Sequence, residues 1–302
     1  MKKDEIFEKV TNRIIESLEK GRIPWRQTWG FVEPAQNFFS KHEYSGVNSI
    51  LMLLRDYETP FFATMNQINK AGGKVRKGEK ATVIVFNKYL YRDNNGRTIS
   101  QEQARAMHPS QYEKRYYLKF DWVFNISQCD GIENTRPSAQ TWDKKACILE
   151  CDLFIQQFTD APRITAKLSD SAYYNRVTDV ITVPLPEQFR SIEDFYATIF
   201  HELIHSTGHV SRLNRETLMD SQKFGDANYA NEELTAEIGA CYFCNHFGID
   251  TAQVWENNES YIKGWIERLQ NDSSLIIKAS KAAKQAFMFL YENIRTPDFY
   301  LP

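Results

Sequence analysis

The feature that most constrains this chain of 302 residues is a capped, amphipathic segment carrying two histidines four residues apart. Ser191 opens the segment and Asp194 follows three residues later, the arrangement of a capping box at a helix N-terminus. Apolar residues then recur at helical spacing, namely Phe195, Ile199, Phe200, Leu203 and Ile204. The pattern predicts that His201 and His205 lie on a helix and not in a loop.

On such a helix the two histidines share one face, about 40° apart around the axis and about 6 Å apart along it. This separation lets both imidazoles reach one tetrahedral ion, with Zn²⁺ as the first expectation and another divalent metal such as Mn²⁺ as the second. Glu202 then lies beside the metal without binding it and is placed to accept a proton from water. The sequence therefore predicts a hydrolase site with Glu202 as its catalytic residue.

A third metal ligand has to come from elsewhere in the chain. His209 is one option, but the metzincin pattern places its third His three residues after the Gly, where this chain has Ser211. Glu233 fits better, because Glu-x-x-Ala-Glu from Glu233 to Glu237 resembles the third-ligand helix of gluzincins. On this interpretation His201, His205 and Glu233 bind the metal.

Residues around these three ligands have open assignments. Glu237 shares a helix face with Glu233 and is expected to orient an imidazole as a second-shell partner. Glu232 remains an alternative ligand, and a solvated helix face is the alternative explanation for the acidic pair. A tyrosine is more often a packing residue than a catalytic one. Three are nevertheless candidates to donate a hydrogen bond to the oxyanion formed during hydrolysis, namely Tyr173, Tyr174 and Tyr229.

The remaining patterns predict an α+β fold in two domains, residues 1–132 and 140–302, the second mostly helical over a small sheet. Gly131, Pro137 and small polar residues mark the boundary. Predicted helices cover 4–18, 47–58, 64–71 and 144–158, predicted strands cover 81–86 and 116–126, and one or two strands lie within 173–184. Residues 92–105 are expected to be a surface excursion. The strand at 179–183 is a candidate edge for pairing an extended peptide.

Charge divides the chain unevenly. Residues 1–130 carry 21 Lys and Arg against 15 Asp and Glu, whereas the rest carry 16 against 24. A basic first half is compatible with nucleic-acid binding, although drift in surface charge would give the same counts. Four cations fall in one turn between apolar segments, namely Lys74, Arg76, Lys77 and Lys80. A solvated turn is the simpler explanation for them.

Several other classes of protein are not indicated. Five cysteines scattered over a long chain do not form a secreted disulfide framework, and the helical spacing of Cys147 with Cys151 and of Cys241 with Cys244 predicts core positions. No apolar stretch approaches the roughly 18 residues of a membrane span, and the first residues lack a signal-peptide core. The expectation is a cytoplasmic protein without a membrane partner.

Segments along nearly the whole chain resemble the ArdC-type plasmid antirestriction proteins. The resemblance is carried in the first half by Pro24-Trp25, Trp29, Asn37, Tyr44 to Asn48, Thr64, Gln67, Gly72 to Lys80 and Val123 to Asn125. In the second half it is carried by Asp179 to Pro184, His201 to His209, Arg212-Leu213 and Glu232 to Glu237. Ser206 departs from the aromatic residue expected at its position, which concerns helix packing and not the ligands.

The resemblance implies an N-terminal domain that binds single-stranded DNA and a C-terminal zincin-like domain, in a protein that shields incoming plasmid DNA from restriction. A basic track and aromatic stacking faces are the physical requirements for such binding. The candidate DNA-binding residues are Trp25, Arg26, Trp29, Tyr44, Asn48, Lys74, Arg76, Lys77 and Lys80, with core packing as the alternative for the tryptophans.

Two functions compete on these residues. In the first, the protein is a DNA-bound metallopeptidase with a protein or peptide substrate. In the second, it coats DNA and its metal site is structural or vestigial. The presence of Glu202 favours the first, because a structural site has no use for a general base. A metal-dependent nuclease is a weaker option, since too few carboxylates are present for a two-metal site.

Overall fold

The computed structural model describes residues 3–26, 34–55, 57, 59–133, 143–219, 227–249 and 259–294. Within them the chain folds as α+β, with an N-terminal part built on a five-stranded sheet and a mostly helical C-terminal part over a small sheet. This confirms the predicted fold class. The proposed boundary falls mainly on residues outside the described ranges, so the two domain limits stay predictions.

The N-terminal part alternates short helices with strands. Its elements are α1 (Lys3–Glu19), β1 (Gln36–Asn37), α2 (Val47–Leu53), β2 (Phe61–Thr64), α3 (Met65–Lys70), β3 (Lys74–Val75), β4 (Thr82–Asp93), β5 (Thr98–Ile99), α4 (Gln101–Arg105), β6 (Tyr112–Asn125) and β7 (Cys129–Asp130). The helices predicted at 4–18 and 64–71 are confirmed. The helix predicted at 47–58 ends earlier, at Leu53.

The N-terminal sheet has the strand order β1-β2-β6-β4-β5, in which the β1–β2 pair is parallel and the others are antiparallel. β4 pairs with β6 along its whole length, from Thr82 opposite Val123 to Asp93 opposite Tyr112. The strands predicted at 81–86 and 116–126 are therefore parts of a longer two-stranded ribbon. Residues 92–105 form the end of β4, a turn, β5 and α4.

The C-terminal part places helices against a three-stranded sheet. Its elements are α5 (Lys144–Gln157), β8 (Arg163–Lys167), β9 (Tyr173–Asn175), β10 (Val180–Pro184), α6 (Ile192–Thr207), α7 (Glu216–Met219), α8 (Ala227–His246), α9 (Glu259–Asn271) and α10 (Leu275–Glu292). β10 lies between β8 and β9. The prediction that residues 179–183 form a sheet edge is therefore wrong, because both sides of this strand are paired and β9 is an edge.

One hydrophobic core joins the two parts. From the N-terminal part it includes Val10 and Ile14 of α1 and Trp25, and from the C-terminal part Ile238 of α8 and Trp265 of α9. A hydrogen bond from Thr11 Oγ1 to the carbonyl of Ser273 spans the same contact at 2.7 Å. The N-terminal helix therefore packs against the last helices of the fold.

A second core fills the C-terminal part between α5, α6, α8 and the small sheet. Phe200 of α6 stacks on Phe243 of α8 with ring centroids 5.0 Å apart. The four cysteines predicted to be core residues are buried, which confirms that prediction. None of the helices in the described ranges is both long and apolar enough to cross a membrane.

Candidate metal centre

Helix α6 is positioned by its cap and by close packing on α8. Ser191 Oγ accepts a hydrogen bond from the Asp194 N–H at 3.2 Å, as predicted, whereas Oδ1 of Asp194 is buried without a hydrogen-bond partner. Gly239 of α8 lies against Ile204 of α6, where an added Cβ would come within 2.6 Å of Ile204 Cδ1. The missing side chain lets the two helices approach closely.

This approach brings His201, His205 and Glu233 together. Their nearest ligand atoms all lie within 4.8 Å of one another. The two histidine Nε2 atoms are 3.1 Å apart, and each lies 3.6 Å from one oxygen of Glu233. A tetrahedral ion with bonds of about 2.0–2.1 Å would space its ligand atoms about 3.4 Å apart. The three side chains therefore fit a single divalent ion.

The charges around the histidines also suit a cation. Burial opposes protonation of His205, but the hydrogen bond with Glu232 and the negative charges of Glu233 and Glu202 outweigh it and raise the pKa of His205 to about 9. Glu202, the predicted catalytic residue, is buried on α6 directly after His201. An excess of negative charge in a buried site is the environment that a divalent cation neutralises.

Glu232, and not Glu237, contacts an imidazole of the site. Its Oε1 lies 3.2 Å from Nδ1 of His205, on the side of the ring opposite the Nε2 atom that faces Glu233. Arg215 Nε and Thr217 Oγ1 donate to Oε2 of Glu232 over 3.0 and 2.6 Å. A carboxylate held in this way fixes the orientation of a ligating histidine.

The electrostatics of Glu232 agree with this role. Its side chain is 2% exposed, and burial by itself would raise its pKa. Hydrogen bonds with His205 and Arg215, together with the Arg215 charge, outweigh burial and lower the pKa of Glu232 to about 2. The carboxylate is therefore ionised and able to accept a hydrogen bond from Nδ1 of His205.

The prediction that Glu237 orients an imidazole is wrong. One turn beyond Glu233, the Glu237 carboxylate accepts hydrogen bonds from Trp25 Nε1, at 2.8 Å, and from the Tyr261 hydroxyl. Nη2 of Arg26 lies 3.4 Å from the same carboxylate. Its position on α8 places it past the metal centre, against residues 24–26 and α9, which cover that side of the helix.

Of the three tyrosines considered from the sequence, Tyr229 lies at the centre. Its hydroxyl is hydrogen-bonded to Glu233, and burial, with the Glu233 charge, raises its pKa to about 12. Tyr174 instead donates to Asp179 at 2.7 Å, in a contact that Arg212 shares. Tyr173 is exposed on β9. Only Tyr229 of these three contacts a predicted metal ligand.

Comparisons with known proteins agree with this architecture. The N-terminal domain family of the anti-restriction factor ArdC matches residues 4–124, and the zincin-like metallopeptidase family matches residues 152–282. Crystal structures of the antirestriction protein ArdC from plasmid R388 resemble this chain with TM-scores of 0.72 for the metal-free form and 0.71 for the Mn(II)-bound form. They are 32% and 31% identical in sequence, over 95% and 97% of this chain and 97% and 99% of theirs. This chain belongs to the ArdC antirestriction family.

Other proteins that match this chain include longer ones. Two DNA primases TraC of Escherichia coli are 32% and 31% identical over 94% and 96% of this chain, which spans 20% and 27% of their lengths. An uncharacterized protein, y4eC, of Sinorhizobium fredii is 29% identical over 93% of this chain and 90% of its own length. ArdC-like sequence thus occurs both in chains of this size and within larger proteins.

In the ArdC-like N-terminal part, several predicted DNA-binding residues serve the fold. Trp25 and Tyr44 are only 2% and 7% exposed, so the prediction that they offer stacking faces is wrong. Arg26 packs over the Tyr261 ring, 4.2 Å from its centroid. The Asn48 side chain bonds both backbone groups of Val85, at 2.8 and 2.7 Å. These residues hold elements together.

The basic turn remains accessible. Lys74, Lys77 and Lys80 are exposed, as the prediction of a phosphate track requires. Arg76 is also exposed but lies 3.3 Å from Glu79 and 3.6 Å from Asp130, so part of its charge is balanced. Trp29 lies outside the described residues. The exposure of the three lysines is compatible with contacts to phosphates, and their part in DNA binding stays a prediction.

Proposed function

We propose that this chain is a metal-dependent peptide hydrolase that acts while it is bound to single-stranded DNA. We propose that this activity is part of an antirestriction function. The observation that carries the proposal is the convergence of His201, His205 and Glu233 near the buried carboxylate of Glu202, whose charge acts on His205. The three ligands would hold Zn²⁺ or Mn²⁺, and the R388 relative has a Mn(II)-bound crystal structure. A divalent metal held there supplies Lewis acidity, which activates water and polarises a carbonyl.

The side chains of the chain itself would handle the proton and the developing charge. Glu202 accepts the proton of the attacking water and passes it to the leaving amine. Glu232 keeps His205 in place, and Arg215 balances the charge of Glu232. The Tyr229 hydroxyl is hydrogen-bonded to Glu233 and would lie beside a bound substrate.

An extended peptide is the substrate that the small sheet favours. β9 packs against α6 and is paired on one side by β10. A peptide adding to its other side would gain main-chain hydrogen bonds and run beside the helix that carries His201 and His205. This transfers the predicted docking edge from residues 179–183 to 173–175.

A DNA-coating protein with a structural metal is the competing function. A structural metal contributes to folding, so the fold is expected to change when it is removed. The relative from R388 has crystal structures both without metal and with Mn(II), and both resemble this chain to the same degree. Together with the position of Glu202, this similarity favours a catalytic metal.

The decisive experiment compares the wild type with Glu202→Gln in peptide-library cleavage, with Zn²⁺ or Mn²⁺ and with or without single-stranded DNA. The amide cannot accept a proton, so cleavage is expected to fall by about 10²–10⁴-fold. Metal content and DNA affinity should stay unchanged. Glu187→Gln, at an exposed position outside the centre, is the matched control.

Two results would count against the proposal. Equal cleavage by the wild type and Glu202→Gln would remove Glu202 from the mechanism. No cleavage by the metal-loaded wild type under any of these conditions would instead favour the coating function.

A further inference from the structure

The two-stranded ribbon of β4 and β6 exposes aromatic side chains that the predicted site did not include. Near β2, Val83, Val85 and Val123 are buried in the core. Farther along, the rings of Phe86, Tyr89, Tyr116 and Tyr117 are exposed, and Tyr116 is the most exposed of them at 70%. Exposed rings grouped on one element mark a recognition surface more often than isolated ones do.

The strand register sorts these rings onto two faces. Tyr89 pairs with Tyr116 and Tyr91 with Lys114, so these four side chains lie on one face. On β6 the same face continues through Leu118 and Phe120 to Trp122, at every second residue. Phe120 and Trp122 are half-buried, because they pack against the core that contains α1, whereas Tyr89 and Tyr116 are exposed. We call the row formed by Tyr89, Tyr116, Phe120 and Trp122 the aromatic stripe, and its open end is the pair Tyr89 and Tyr116.

Cationic side chains lie on the rings of the aromatic stripe. Lys114 Nζ is 4.3 Å from the centroid of the Tyr89 ring. At the other end, Lys9 of α1 is 4.5 Å from the centroid of the Trp122 ring, and the Arg13 guanidinium is 5.9 Å from it. Positive charges therefore lie on the rings at both ends of the stripe.

The surrounding charge favours a polyanion. Residues 86–120 contain seven Lys and Arg against three Asp and Glu. Of the acids, Asp93 accepts hydrogen bonds from the backbone of its own turn and Glu113 is paired with Arg115 at 2.7 Å. A cationic partner would meet repulsion here, whereas phosphates would find ammonium groups beside the rings of Tyr89, Phe120 and Trp122.

We propose that the aromatic stripe is the platform on which single-stranded DNA stacks its bases. Unpaired bases have free faces that stack on aromatic rings, and the phosphates between them contact Lys9, Arg13 and Lys114. A duplex keeps its base faces covered, so it could use only the cations. The inference rests on the proposed DNA-binding function and locates it on the ribbon instead of on Trp25 and Tyr44.

The test is fluorescence anisotropy of the full chain with a labelled oligo-dT, over a range of salt concentrations. Tyr89→Ala and Tyr116→Ala should each weaken binding by about 5- to 100-fold, with the salt dependence nearly unchanged. Tyr116→Phe keeps the ring and should bind like the wild type. Lys114→Ala should flatten the log–log salt slope by about 0.7, as expected for one phosphate contact.

Matched controls separate the stripe from other surfaces. Tyr173→Ala removes an exposed strand tyrosine of the C-terminal part and should leave the affinity unchanged. Lys77→Ala probes the basic turn and should change the salt slope without the ring effect. An oligo-dT carrying 5-iododeoxyuridine should cross-link, on irradiation, to a ring of the stripe.

The outcomes are distinct. The stripe is not the platform if Tyr89→Ala and Tyr116→Ala both bind oligo-dT as tightly as the wild type does. The same conclusion follows if cross-links form only outside β4 and β6. In both cases the proposal that the chain binds DNA still stands. Equal affinity for duplex DNA would also overturn the stacking proposal. If the wild type does not bind single-stranded DNA at low salt, the proposed function fails together with this inference.

Discussion

The metal centre and the β4–β6 ribbon place their side chains by opposite means. At the centre, Glu232 is buried and has three polar partners, so each atom is held by a neighbour. On the ribbon, Tyr116 is largely exposed and is positioned chiefly by the strand that carries it. A substitution at the metal centre should therefore disturb several neighbouring residues of the network. A substitution on the ribbon should affect only its own position.

Loss of a ligand gives the largest expected effect and tests the centre directly. Loss of a residue that only orients a ligand lowers metal affinity by about 10–100-fold. Glu233→Ala should lower it further, because this variant lacks a ligand itself. Titration of metal into the protein, with elemental analysis, measures this effect. His209→Ala, which removes a half-buried histidine that is hydrogen-bonded to Ser211, should keep the metal. Full retention in Glu233→Ala with loss in His209→Ala would contradict the ligand assignment.

Removal of the outer carboxylate is the next largest effect. Glu232→Ala should lower metal affinity by about 10–100-fold, since Nδ1 of His205 loses the carboxylate that orients it and Arg215 loses its ion-pair partner Glu232. Glu232→Gln keeps an acceptor oxygen and should lose less. The same metal titration compares them with Glu237→Gln. A larger loss in Glu237→Gln than in Glu232→Ala would restore the original sequence-based assignment.

A methyl group at the helix contact sharpens the comparison further. Gly239→Ala should reduce the free energy of unfolding by about 1 kcal/mol, because overpacking against Ile204 exceeds the gain in helix propensity. Gly264→Ala in α9 is the matched control, since its added Cβ meets no atom within 4 Å. It should stabilise the fold by up to about 1 kcal/mol. Urea unfolding that shows stabilisation by both variants would contradict close packing of α6 on α8.

The smallest effect is expected on the ribbon. Tyr116→Ala should change the free energy of unfolding by no more than about 0.5 kcal/mol, because the ring is largely exposed. Urea unfolding measures this with the same variant that is used for DNA binding. A loss well above 1 kcal/mol would show that the ring belongs to the packed fold, and the contrast between the two regions would disappear.

Local periodicity explains how much of the centre was predictable. The spacing of His201 and His205 and the Ser191 cap are properties of one helix, so the sequence contains them. The choice between Glu232 and Glu237 depends on how α8 rotates against α6. That rotation is set by Gly239 and Ile204, which no local pattern reveals.

The N-terminal errors have a similar origin. The sequence leaves open whether Trp25 is a stacking face or a core residue, and the answer depends on helices more than 200 residues later in the chain, on which it packs. The exposed rings of β6, Tyr116 and Tyr117, are adjacent and lie on opposite faces of the strand, and nothing local distinguishes a covered face from an open one. Their exposure follows from the ribbon extending past the core, which is a tertiary property.

The core shared by α1 and the last helices has a consequence for synthesis of the protein. Thr11 and Ser273, which are in contact, lie 262 positions apart. At about 5–20 residues per second, a ribosome needs roughly 10–50 s to make the intervening chain. Throughout that interval the apolar face of α1, with Val10 and Ile14, has not yet met α9. Part of the apolar face of α1 is therefore expected to stay exposed on the nascent chain until α9 has been translated.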